Sequence, residues 1–288
     1  MITHKTSNKR MLKQIFKYFT LPTPPRYNQE GHQESSHDLT VSTFDFRGAA
    51  GYWSSHSETG TGIVLKKGSE VVMSCTPMEI ESHIVAQHSA KGRVVIAGLG
   101  LAMITCSLLK KKAVTHLTVL ELDQNIISMY PDLLAGEDKQ LWLDSIDSGR
   151  LRIEQVDCKA PLDTQLLDRI GRVDYLWADI WNNLGNSEAA NITRNLCKQL
   201  KPKLADYWGW EIELVRACIV HNIDAGKDNP YVMPSRFLKD HSSSLDIPLT
   251  IYQLDTERQK TLGVMAFAAT KNTLTQEKAL RDRQATIF

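Results

Sequence analysis

Along the middle of the chain the hydrophobic pattern switches repeatedly between two periods. RVVIAG (residues 93–98) is a compact apolar run suited to a buried strand, and LAMITCSLLKKK (101–112) has helical spacing. HLTVLEL (116–122) is strand-like again, and the segment around NIISMYPDLL is helical as far as the break at Pro131. LRIEQV, PLDTQLLDRIG, VDYLWADI and SEAANITRNLCKQL repeat the strand–helix alternation up to Leu200. Strands rich in Val, Ile and Leu that alternate with helices of about ten residues predict βαβ units. The expected fold class is therefore α/β, a Rossmann-like, mostly parallel sheet with helices on both faces.

Upstream, TGIVLKKGSEVVMS (61–74) holds two β-prone runs around Lys67-Gly68-Ser69, which predicts a hairpin. Thr76-Pro77-Met78-Glu79 then reads as a helix start: Thr76 caps, Pro77 suits the first helical position and Glu79 completes a capping box. That helix is expected to run to about His88. Beyond Pro202 the pattern weakens. WGWEIELVRACIV fits a buried strand or a helix, and residues 249–270 are expected as two antiparallel strands at an edge of the same sheet.

The N-terminal region is different in character. MLKQIFKYF (11–19) gathers Met11, Leu12, Ile15, Phe16 and Phe19 on one side of a short basic helix, which fits weak membrane-surface contact or targeting, or a frayed terminal helix that packs on the domain or on nothing. Residues 21–42, with LPTPP and then NQEGHQESSHD, read as a flexible linker. The expected division is residues 1–45 as basic segment and linker, 46–90 as hairpin region and following helix, and 91–288 as the Rossmann-like domain.

Composition narrows the classes of function. With 288 residues, 42% hydrophobic and 23% charged, the chain can bury a large core. Lys plus Arg number 34 against 33 acids, so overall charge gives no nucleic-acid signal. Cys75, Cys106, Cys158, Cys197 and Cys218 are odd in number and never paired as CxxC, which speaks against a disulfide framework or a zinc site. No metal is expected. A reducing, cytoplasmic setting follows, since no run approaches the ~20 apolar residues of a membrane span and no secretory leader is visible.

In an open parallel sheet, ligands bind outside the carboxyl ends of the strands, where strand order reverses. The loops there hold Gly98-Leu99-Gly100-Leu101-Ala102, then Glu121 and Asp123, then Asp157, then Asp179. A dinucleotide fingerprint, G-x-G-x-x-G/A, needs a small sixth residue, and this chain has Met103. Its small residues fall at 98, 100 and 102 instead. Glu121 follows about 20 residues later, where an acid can bind a ribose diol. A ribose without a pyrophosphate fits this layout better than NAD. Each residue also has a plainer reading: the glycines as a tight turn, Glu121 as an exposed acid, Asp157 and Asp179 as helix caps or loop anchors.

Taken together, the G-x-G-x-A turn, Glu121 in VLELD, Asp157 in QVDCKAPL and Asp179 in DYLWADIW resemble the class I S-adenosylmethionine-dependent methyltransferases, over residues 92 to about 200. The resemblance implies S-adenosylmethionine as co-substrate. Gly98, Gly100 and Ala102, with Leu99 in the same turn, would line its methionine part. Glu121 would bind the ribose hydroxyls, Leu122 would lie against the adenine ring, and Asp157 would contact the adenine amino group. Upstream, the hairpin and the helix segment PMEIESHI, with Glu79, Glu81 and His83, resemble the spermidine synthase branch, as does the order of residues in GVMAFAATK, whose counterpart there is a short final strand. Two positions depart from the family pattern. Ile96 stands where many members have an acid, and Asp179-Ile180-Trp181-Asn182 lacks the second carboxylate of a D-x-x-D motif. That loss removes a charge-assisted bond of about 1.5–3 kcal/mol to a polyamine.

The expectation is a methyltransferase with spermidine synthase-like architecture acting on a small-molecule acceptor, with Asp179 as the catalytic residue that positions or deprotonates it. The alternatives are an aminopropyltransferase, and a non-catalytic Rossmann-fold binding module. Trp177 and Trp181 flank Asp179; Trp177 reads as core, and Trp208 and Trp210 as packing. His83 and His221 lack metal spacing and read as structural or solvent-facing.

Overall fold

A computed structural model describes residues 4–28, 38–54, 57–220 and 235–285. It contains two sheets. β1 (Leu39–Ala50), β2 (Ser57–Lys67) and β3 (Glu70–Ser74) form an antiparallel three-stranded sheet in that order. β4 (Gly92–Ala97), β5 (Val114–Glu121), β6 (Leu151–Gln155), β7 (Tyr175–Ala178) and β8 (Leu204–Tyr207) form a five-stranded sheet in the order β6-β5-β4-β7-β8, every neighbouring pair parallel. The Rossmann-like α/β architecture expected from the alternating pattern is present. Order reverses at β4, whose neighbours are β5 and β7, so a crevice opens at the carboxyl ends of those three strands.

Helices surround the two sheets. They are α1 (His4–Tyr18), α2 (Pro77–Ser82), α3 (Ile84–Ser89), α4 (Met103–Leu109), α5 (Gln124–Ser128), α6 (Gly136–Asp147), α7 (Thr164–Ile170), α8 (Ala189–Leu200), α9 (Trp210–Val220), α10 (Ser235–Leu245) and α11 (Thr256–Ala285). Of these, α4, α5, α6 and α8 pack directly on strands of the parallel sheet. The central strand explains itself: Val94, Val95, Ile96 and Ala97 of β4 are all buried, as a strand covered on both faces requires. Among the described residues no helix is long and apolar enough to cross a membrane.

Several expectations change. Residues 249–270 are not two strands. They form a short 3-10 turn (Thr250–Gln253) and the first half of α11, so GVMAFAATK is helical. Asp255 starts that helix, its Oδ1 accepting from the Arg258 amide. Leu262, Met265, Ala266 and Ala269 bury one face at helical spacing, and the hydroxyls of Thr261, Thr270 and Thr273 bond carbonyls four residues back. WGWEIELVRACIV resolves as helix from Trp210. The helix expected over 76–88 is split at His83.

Residues 39–42, read as linker, are the start of β1, a strand absent from the sequence reading. Residues 21–28 lie on the domain: the Thr23 amide donates to Ser107 Oγ, the Arg26 amide to Asp138 Oδ2, and Tyr27 pairs with Leu134. The apolar side of α1 is turned inward. Ile15 and Phe19 are buried, Met11 and Leu12 pack on the core, and Phe16 alone of the five is half-exposed, edge-on to Trp53.

Candidate functional site

The buried strand β4 ends in a turn whose backbone needs glycine. Gly98 has φ +99°, and a Cβ there would sit 2.0 Å from the Asp179 carbonyl oxygen, so the loop after β7 lies directly on the turn. Gly100 has φ +48°, and a Cβ there would lie 2.5 Å from Met73 Sδ. Met73 belongs to β3; its sulfur accepts the Leu101 amide at 3.1 Å. The three-stranded sheet thus reaches over the turn.

The turn forms the floor of a cavity of about 320 Å³, at the lower end of the roughly 300–1,000 Å³ usual for small-molecule sites. Of the residues singled out in the sequence, Gly98, Leu99, Gly100, Glu121, Leu122, Asp157 and Asp179 all line it. Ala102 does not. It is buried behind the turn with φ +52°, as the residue that opens α4.

Glu121 closes β5. Its Oε2 accepts the Leu99 amide at 2.8 Å and its Oε1 the Asp123 amide at 2.9 Å, so one carboxylate holds the glycine turn against the next loop. Each carboxylate oxygen keeps a further lone pair for a ligand hydroxyl. Leu122, 61% exposed, offers an apolar surface beside it. Asp123 caps α5 through the Asn125 amide and pairs with Lys67 Nζ at 2.7 Å. That lysine bond, assisted by the Asn125 amide, holds the Asp123 carboxyl below its ordinary range. Asp157 lines the cavity and does not cap the helix of PLDTQLLDRI, which starts at Thr164 after Asp163; it accepts the Lys159 amide at 2.8 Å instead.

On the opposite bank a cluster forms that the sequence reading left apart. His83, wholly buried between α2 and α3, brings Nε2 to 2.9 Å from Asp179 Oδ2. Its full burial fits the structural reading and excludes the solvent-facing one. Its Nδ1 faces the Glu79 carbonyl at 2.7 Å. A carbonyl cannot donate, so Nδ1 carries a hydrogen, and Nε2 is the ring atom turned to Asp179. The contact sets a buried imidazole against a carboxyl group, which favours the imidazolium form. Burial opposes the charge on His83, but the bond and charge of Asp179, with help from Glu79, outweigh it and raise the pKa.

Glu79 lines the cavity one helical turn before His83, 9% exposed, and its carboxyl has no hydrogen-bond partner among the described residues. Burial pushes it up to about 8, eased by His83 and reinforced by Asp179. Thr76 caps α2 as expected, but the Glu79 side chain turns to the cavity rather than completing the box. Trp208, read as packing, also lines the cavity. Its indole N–H bonds Ser82 Oγ at 2.8 Å, and its carbonyl accepts from Trp181 Nε1 at 3.2 Å. Trp177 and Trp210 are core. His221 lies outside the described residues. Asn182 lines the cavity and donates to Glu70 Oε1 of β3 at 2.8 Å.

The cavity therefore collects Glu79, Glu121, Asp123, Asp157 and Asp179 against Lys159 and His83, an acidic balance suited to a cationic ligand. Among the described residues no group of three or more His, Cys, Asp or Glu is arranged to hold a metal ion. The i, i+4 spacing of Glu79 and His83 was the available signal for this cluster; their meeting with Asp179, 96 residues away, had none. No family model matches this chain, and no curated protein sequence does.

Proposed function

We propose that this chain is an S-adenosylmethionine-dependent transferase, with methyl transfer to a small-molecule acceptor ahead of other chemistry. The observation that carries the reading is the gathering, in one cavity at the reversal of strand order, of the glycine turn, Glu121, Leu122, Asp157 and Asp179. In this reading Gly98, Leu99 and Gly100 receive the methionine part, and Glu121 receives the ribose diol on its remaining lone pairs. Leu122 lies along the adenine and Asp157 meets its amino group. Ala102, assigned to the methionine part by resemblance, acts only through the shape of the turn.

Asp179 and His83 stand on the acceptor side. The sulfonium supplies the electrophilic methyl and a neutral thioether as leaving group. The acceptor's lone pair forms the new bond to the methyl carbon while the C–S electron pair returns to sulfur, and Asp179 takes the acceptor's proton. His83 is the positioning residue that fixes the Asp179 carboxylate.

A second reading keeps the cavity and transfers an aminopropyl group from decarboxylated S-adenosylmethionine to a diamine. Glu79, close to Asp179 and with no hydrogen-bond partner for its carboxyl among the described residues, favours it by offering a second acid to an ammonium group.

Isothermal titration with S-adenosylmethionine, S-adenosylhomocysteine and NAD tests the ligand class. The expected result is binding of the two adenosyl compounds, weakened about tenfold or more by Glu121→Gln through loss of charge-assisted bonds. Binding of NAD alone would end the proposal. Mass spectrometry of a diamine panel with the decarboxylated donor separates the two transfers.

A further inference from the structure

We propose that the tip of the β2–β3 hairpin is a strap tied across the mouth of the cavity, and that both of its side-chain ties release when the cavity opens. The ties reach opposite banks. Lys67 Nζ pairs with Asp123 Oδ2 in the loop after β5, and Glu70 Oε1 accepts from Asn182 Nδ2 in the loop after β7. Because β4 lies between β5 and β7, the tip spans the glycine turn at the end of β4. Met73 rests on that turn, its sulfur accepting the Leu101 amide.

The hairpin is built to hinge. Register between β2 and β3 slips between Leu65 and Lys66: Leu65 faces Met73 and Lys66 faces Val71, which leaves Val72 as the extra residue of a bulge. Val72 lines the cavity, so the bend falls at its edge. Beyond the bulge the tip is exposed: the Lys67 side chain is 57% accessible, Gly68, Ser69 and Glu70 are exposed, and among the described residues no strand pairs with the outer side of β3. β1 also holds the tip, Leu39 pairing with Lys67 and the Asp38 carbonyl accepting the Gly68 amide at 2.7 Å, so the strap moves with that edge of the sheet; across the cavity the two exposed polar ties hold it weakly, and salt screens the ionic one. The geometry is separate from the identity of the ligand; only the binding arm of the test below rests on the nucleoside reading.

Leu101 reports the strap without any ligand, because a sulfur of the hairpin accepts its amide. Amide hydrogen exchange by NMR is measured on the wild type, on the double variant Lys67→Ala/Glu70→Ala, and on Lys67→Arg as the variant that keeps the ionic tie. Exchange at Leu101 is expected to rise about tenfold in the double variant, to rise in wild type at 0.5 M salt, and to stay near wild type in Lys67→Arg. Amides of β4 serve as the control and should not change. Equal exchange at Leu101 in all proteins would overturn the proposal. So would a parallel rise in β4, which would show global loosening instead of a local strap.

Stopped-flow binding of S-adenosylhomocysteine gives the second arm: association and dissociation should both quicken in the double variant, the ratio changing less than either rate. Unchanged rates would overturn the strap as a gate. Absence of binding to every protein would instead defeat the nucleoside reading, with the exchange result still deciding the strap.

Discussion

Glu79, His83 and Asp179 show how burial changes the charge that ordinary side chains carry. Held away from water, Glu79 stays protonated up to about pH 8, while His83 keeps its proton because Asp179 is 2.9 Å away. A cation in the cavity would favour ionised Glu79. Affinity for S-adenosylmethionine should therefore rise between pH 7 and 9, affinity for uncharged-sulfur S-adenosylhomocysteine should not rise in parallel, and Glu79→Gln should flatten the difference; titration calorimetry across that range measures it. Asp179→Asn removes the main opposition to burial at His83. Its imidazole pKa, followed by NMR, should drop from above the ordinary value to below it, and methyl transfer should fall with it. A raised pKa that survives the substitution would show that Glu79, not Asp179, holds the charge.

At the scale of elements, α11 is the instructive case. LTIYQL and LGVMAFAAT carry enough apolar and aromatic residues to look like strands, and local propensity favours that reading. Tertiary contact overrides it: Leu262, Met265, Ala266 and Ala269 form a stripe at spacings of three and four that packs between α9 and α1. The periodicity was there to be found, obscured by small residues on the remaining faces. Leu262→Ala should cost about 2–5 kcal/mol in urea unfolding, as for a fully buried leucine; a cost near zero would mean the helix does not pack as described. Elements with clear two-state patterns fared better. The hairpin around Lys67-Gly68-Ser69 and the four strands from β4 to β7 fall where the pattern placed them: a glycine turn closes the hairpin, β7 is buried throughout, β4 and β5 are buried over their carboxyl-terminal halves, and β6, at the sheet edge, is buried only at Leu151.

For the whole molecule, buried acids set the pH response. Burial raises Glu79 and Glu211 to about 8 and Asp206 to about 7, the last satisfied by Tyr175 and Thr250. Protons bound in the folded state and lost on unfolding stabilise the fold below the unfolded carboxyl pKa and cease to do so as pH climbs through the folded values. His83, also raised, acts in the same direction above pH 6.5. Asp174 works oppositely: the Arg93 amide and its basic neighbours lower it to about 2, so its contribution is present above pH 3.8 and vanishes as pH falls through 2. Thermal unfolding should therefore give its highest midpoint near pH 4 to 5, with a decline toward pH 8. A midpoint that rises over that interval would mean these carboxyls ionise freely in the fold.

Sequence alone determined the α/β class, the glycine turn at 98–100, and the acids waiting at strand ends, since these follow from hydrophobic period and from backbone geometry, which are local. Tertiary structure decided which of those acids share a cavity, that Ala102 stays outside it, and that His83 meets Asp179. It also decided that the hairpin crosses the mouth through Lys67 and Glu70. Contacts between residues tens to more than a hundred positions apart depend on how strands order themselves and how layers stack, and no periodicity within a short window records that.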